Sequence, residues 1–171
     1  MSTQDLSELR YQGSGDHRQS KIALVISRWH RDINDKLKEA AETTLSAAGV
    51  SADNLRVEYV PGSFELPLAA KWLATSGNYD AIICFGCIVK GETRHNVYIS
   101  QTVANALQQL SLATSLPVIF GVLTPENFMQ ALDRAGGKHG NKGNEAAVTA
   151  LEMIDLAQRI GPQKGKQIGF S

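Results

Sequence analysis

This chain lacks long apolar runs: none approaches the roughly 20 residues that a membrane-spanning helix needs. It also lacks an excess of one charge. Lys plus Arg number 17 and Asp plus Glu number 17, so a general affinity for nucleic acid or for an anionic membrane surface is not expected. Cysteine is scarce, with two residues, Cys84 and Cys87, inside one apolar strand-like run. That position implies no disulfide framework. The opening Met1-Ser2-Thr3-Gln4-Asp5 has no basic-then-apolar leader, and a soluble cytoplasmic protein is the expectation. Nucleotide motifs are missing too. Neither G-x-x-x-x-G-K-[ST] nor G-x-G-x-x-G occurs, and there is no internal repeat.

What is present is an alternation of two patterns. Strand-like runs recur at Ile22 to Ile26, Leu55 to Val60, Ala81 to Val89 and Val118 to Leu123. Three are nearly continuous in apolar residues, as parallel strands covered on both faces should be. Leu55 to Val60 alternates more, which suits an outer strand. Between them lie helical spacings. Ile33, Leu37, Ala41, Thr44, Leu45 and Ala48 mark the first helix, closed by Gly49. Phe64 to Ala74 is the second, with Pro67 tolerable only in its first turn. The others are predicted at Val97 to Ala113, Glu126 to Ala135 and Glu145 to Ile160. The result is an α/β domain over residues 21–161 with a four-stranded parallel sheet and right-handed crossovers. Residues 1–20 read as a polar tail and residues 162–171 as a frayed end. The N-terminal tail is a candidate edge strand, on a neighbouring subunit.

Ligands of such sheets bind beyond the C-terminal ends of the strands, which selects four loops. In Ser27-Arg28-Trp29-His30, Trp29 can stack on a planar heterocycle or pack on a helix or subunit. In Pro61-Gly62-Ser63-Phe64-Glu65, the amides and Glu65 can bind carbonyls and hydroxyls, or simply cap a helix. The richest stretch is Gly86-Cys87-Ile88-Val89-Lys90-Gly91-Glu92-Thr93-Arg94-His95. A helix N-terminus there attracts anions, and His95 is of a residue type that can move protons. The fourth loop is Leu123-Thr124. Outside this rule, Arg134 can fork onto phosphate or merely answer a helix dipole. Lys138, His139 and Lys142 lie in the adjacent Gly-rich loop. Cys84-Phe85-Gly86-Cys87 resembles a redox pair in spacing, but strand residues three apart point to opposite faces.

Taken in order, Ser27-Arg28-Trp29, Val60 to Pro67, Gly91 to His95, Phe120 to Thr124, Gln130-Ala131, Arg134-Ala135-Gly136 and Gly140-Asn141-Lys142-Gly143 resemble the lumazine synthase family of riboflavin biosynthesis. The resemblance covers about Lys21 to Ala157. It implies a flavodoxin-like three-layer α/β/α subunit. It implies condensation of 5-amino-6-(D-ribitylamino)uracil with 3,4-dihydroxy-2-butanone 4-phosphate, without metal or redox cofactor. By the same resemblance Trp29, Ser63, Phe64, Glu65, Cys87, Ile88 and Val89 hold the ribitylaminouracil, joined by Phe120 from a facing subunit. Glu92, Thr93, Arg134 and Lys142 serve the phosphate, and His95 transfers protons. The family forms pentamers, many of which close into icosahedral shells, with riboflavin synthase as a candidate partner or cargo. The contrasting reading is a non-catalytic flavin or lumazine carrier on the same scaffold.

Overall fold

In a computed structural model, which describes residues 10–161, the first strand sets the architecture. β1 (Ile22–Ser27) is buried at all six positions. Only an inner strand covered on both faces has that pattern. It pairs in parallel with β2 (Leu55–Val60) on one side and β3 (Ala81–Cys87) on the other, and β3 pairs with β4 (Val118–Leu123). The order β2-β1-β3-β4 places the alternating β2 at an edge, as its sequence indicates.

Among the described residues five α-helices complete the domain: α1 (Arg31–Ala47), α2 (Leu66–Thr75), α3 (His95–Thr114), α4 (Phe128–Arg134) and α5 (Lys142–Ile160). Side-chain alternation in the strands assigns them to layers. Ile22, Leu24, Ile26, Ile83 and Phe85 pack with Ile33, Leu37 and Leu45 of α1 and with Ala147 and Leu151 of α5. Ala23, Val25, Ile82 and Cys84 pack with Leu66 and Ala70 of α2 and with Val103 and Leu107 of α3. The fold is the three-layer, flavodoxin-like α/β/α sandwich. Each fully buried Leu or Ile contributes about 1.5–3 kcal/mol by leaving water. Among the described residues no helix is long and apolar enough to cross a membrane.

Several boundaries differ from those expected, and each difference has a local cause. β3 stops at Cys87 rather than Val89, because its pairing with β4 ends at the Cys87–Leu123 register. The second helix opens with a 3-10 turn over Ser63–Glu65, and Pro67 falls in the first turn of α2, where its missing N–H needs no partner. α3 begins at His95, two residues early. α4 starts at Phe128 because Asn127 Oδ1 accepts from Gln130 N at 3.0 Å. α5 starts at Lys142, not Glu145, because Asn141 Oδ1 accepts from Gly143 N at 2.8 Å. Both asparagines are N-caps. The Gly-rich segment, read as a loop, forms a short antiparallel ribbon of β5 (Ala135–Gly137) and β6 (Gly140–Asn141). Gly136 and Gly140 have positive φ there, which glycine adopts without penalty.

Residues 10–20 contain no strand among the described residues, yet they are not a free tail. Buried His17 meets Tyr11 Oη at 2.8 Å, Ser20 Oγ at 3.1 Å and Asp155 Oδ1 of α5 at 3.3 Å. Tyr11 donates to Asp155 Oδ2. The rest of the tail read as a candidate edge strand, residues 1–9, and the frayed end at 162–171 lie outside the described residues.

Candidate active site

Three strand ends build one cleft. β1 delivers the turn 28–30, β2 delivers 61–65, and β3 delivers 88–94 before α3 begins. The cleft, of about 420 Å³, is lined by Trp29, His30, Gly62, Ser63, Phe64, Glu65, Cys87, Ile88, Val89, His95 and Ile99. Ligand sites of open parallel sheets lie at this end of the strands.

The geometry converges on Gly62. A Cβ there would stand 3.0 Å from Glu65 Oε2 and 3.4 Å from Trp29 Cδ1. The indole edge and the carboxylate therefore come together over bare backbone, and glycine keeps that space open. Trp29 is 70% exposed and Phe64 57%, so both offer aromatic faces to a ligand rather than to the core. Ser63 is buried, and its Oγ has no partner among the described residues. A buried hydroxyl in that state favours a ligand that completes it. Cys87, Ile88 and Val89 also line the cleft, and the backbone there is fixed by Ile88 N donating to Leu123 O at 2.8 Å.

His95 is the first residue of α3 and is exposed at the cleft. Thr93 Oγ1 accepts from its backbone N at 3.4 Å. Gly91 to Arg94 make no backbone hydrogen bond through their amides among the described residues. A run of free amides at a helix N-terminus is suited to an anion. His95 lines the same cleft as Trp29, directly after these amides in the chain.

Five expected site residues do not line the cleft. Glu92 and Thr93 are exposed on the loop beside it. Phe120 lies on the edge strand β4 and is partly exposed. Arg134 ends α4, with Nη1 donating to Gln130 O at 3.1 Å. Lys142 is held by Glu145, with contacts of 2.8 and 2.6 Å. The cleft also includes residues that sequence reasoning passed over. His30 belongs to the selected loop, but its left-handed backbone (φ 55°) and its tilted contact with Phe128, 6.1 Å between ring centres, are not visible in the sequence. Ile99 looked like an ordinary helix position.

The cysteines behave as strand geometry predicts. Cys84 packs toward α2 and α3, and Cys87 packs toward α1 and α5. Burial pushes both thiols up to about 12. Among the described residues no three His, Cys, Asp or Glu side chains are grouped to hold a metal.

Sheet order, helix layers and a cleft combining an aromatic face, a carboxylate and a histidine at a helix N-terminus define a flavodoxin-like protein with a small-molecule-sized cleft at the ends of its strands. The family model for 6,7-dimethyl-8-ribityllumazine synthase matches residues 19–158, most of the chain. The chain belongs to that family, a transferase family whose work is lumazine synthesis in the riboflavin pathway.

Proposed function

We propose that this protein condenses 5-amino-6-(D-ribitylamino)uracil with 3,4-dihydroxy-2-butanone 4-phosphate to give 6,7-dimethyl-8-ribityllumazine, releasing phosphate and water. The observation that carries this reading is the convergence of Trp29, Glu65 and His95 on one cleft. A pyrimidinedione fits the exposed indole face, and base–aromatic contacts of this kind are worth about 1–3 kcal/mol. A ribityl chain presents hydroxyls that Glu65 can accept from. The ketone phosphate fits the amides of Gly91 to Arg94.

The chemistry is redox-neutral. The 5-amino group attacks the butanone carbonyl, and water leaves as an imine forms. Loss of a proton then expels inorganic phosphate. The enol left at the former 3-hydroxyl carbon tautomerises to a ketone, and attack of the ribityl-bearing nitrogen on that ketone closes the ring with loss of a second water. Each step moves a proton, and His95, lining the cleft, is the residue we assign to move it. Positioning two reactive substrates side by side supplies much of the acceleration.

Phe120, Arg134 and Lys142 belong in this proposal to the cleft of an adjacent copy. Phe120 would cover the ring there, and Arg134 would bind the phosphate with Lys142 adding positive field. The assembly is a pentamer that closes into an icosahedral shell in the cytoplasm, with riboflavin synthase as its candidate cargo. Sedimentation as isolated pentamers would remove the shell. The direct test of function is an absorbance assay for lumazine with both substrates. Product from the wild type, reduced in His95→Ala and Arg134→Ala, is the expected result. Tight binding of riboflavin without product would make the protein a carrier.

A further inference from the structure

Asn34 is a polar side chain at a position where the helical pattern calls for an apolar one. It shares the buried stripe of α1 with Ile33, Leu37, Ala41 and Leu45 and is 0% exposed. Its Nδ2 donates to Ser27 O at 2.9 Å and to Trp29 O at 2.8 Å. Two carbonyls demand donors, so the amide orientation follows from its partners. The remaining Oδ1 is buried and unpartnered among the described residues, an unfavourable state. An apolar side chain of similar size would avoid it, so core packing alone gives no reason for asparagine here.

The loop it holds needs holding. Trp29 is 70% exposed, so packing does little to fix its ring. His30, the next residue, takes a left-handed backbone (φ 55°, ψ 48°) that is unfavourable for a side chain bearing a Cβ. The other restraints are few: Arg28 N donates to Val60 O, and His30 O accepts from the amides of Ile33 and Asn34. Trp29 itself is tied through its carbonyl to Asn34.

We infer that Asn34 is a positioning residue for the ring substrate: by clamping the carbonyls of Ser27 and Trp29 it fixes the pose in which Trp29 presents its indole to the cleft. The inference rests on the ring-binding reading given above. Without the clamp the indole must be ordered when ligand binds, which weakens binding by up to roughly tenfold for one immobilised side chain.

The test uses a Trp72→Phe background, in which Trp29 is the sole tryptophan of the two in the chain. Fluorescence anisotropy of the free protein reports the mobility of the indole, and its quenching by 5-amino-6-(D-ribitylamino)uracil reports ring affinity. In Asn34→Leu, anisotropy should fall and ring affinity should drop roughly tenfold, while KM for the butanone phosphate stays unchanged. Added to Trp29→Ala, where calorimetric titration with 5-amino-6-(D-ribitylamino)uracil replaces quenching, the same substitution should cause no further loss of ring affinity, as for residues acting through one group. Unchanged anisotropy and ring affinity, or a full additional loss in the double variant, overturns the inference. If Asn34→Leu does not fold, Asn34→Ser keeps one donor and should lose a smaller share of both signals; parental values there overturn it equally. A parent that binds no ribitylaminouracil removes the proposed function, while the anisotropy comparison still judges Asn34.

Discussion

The two faces of the sheet are finished differently. On the α1–α5 side, small residues let the helices close on each other and on the strands. Ala146, Ala147 and Ala150 are buried, and Gly143 lies so close to α1 that a Cβ would overlap the Leu37 carbonyl oxygen. Asn141 caps α5 and its Nδ2 also donates to Lys36 O at 3.2 Å. On the α2–α3 side, large apolar groups remain in water: Leu68 and Trp72 on α2, Tyr98 and Leu112 on α3. Trp72 is 66% exposed and Leu112 73%. Apolar groups exposed in number mark interaction surfaces. Among the described residues α1 exposes no large apolar side chain, and α5 exposes Met153 and, at its C-terminal end, Ile160. The second face, with the open edge of β4 and Phe120 upon it, fits completion by another copy.

Breaking the finished face should have the largest effect on the fold. Gly143→Val should destabilise by about 3 kcal/mol or more, because backbone rather than a side chain must yield; urea unfolding measures it. On the cleft, His95→Ala should lower kcat by about a hundredfold while leaving residual turnover, at the low end for a general acid–base residue. Trp29→Ala should weaken ring-substrate affinity by about 1–3 kcal/mol without moving the thermal midpoint. On the unfinished face, Trp72→Ser should leave monomer stability within about 0.5 kcal/mol and yet shift sedimentation toward smaller species.

The smallest effect expected is chemical. Cys84 and Cys87 should resist alkylation at pH 8 until the protein unfolds, since burial raises both thiols to about 12. A raised thiol pKa favours the folded state while the thiol is neutral. Its contribution is complete below about 9 and is lost as pH rises toward 12.

The sheet was legible because β1, β3 and much of β4 are apolar at successive positions, a pattern with few alternatives. Helix starts were less so. Spacing of apolar residues locates a helix, whereas Asn127 and Asn141 act through single hydrogen bonds that spacing does not register. The β5–β6 ribbon is mostly glycine and carries no pattern. Within the site, Trp29, Ser63 to Glu65 and His95 follow from one rule, that loops after parallel strands converge, whereas Cys87 to Val89, read as strand, entered only through the family resemblance. Asn34 escaped because a polar residue on an apolar stripe was read past, although that mismatch was the visible clue. The N-terminal arm was taken for a tail because Tyr11 and His17 reach Asp155 across most of the chain, a pairing that local reading does not find.

The claim that the second face is completed by another copy is tested most directly by subunit mixing. His95→Ala and Arg134→Ala are each assayed alone, then unfolded together and reassembled. If every site takes His95 from one chain and Arg134 from its neighbour, random mixing leaves about a quarter of the interfaces with both groups intact. Lumazine formation should then recover to about a quarter of the wild-type rate, far above either variant. A mixture no more active than its separate components would contradict the account, since it would mean that each chain supplies its whole site.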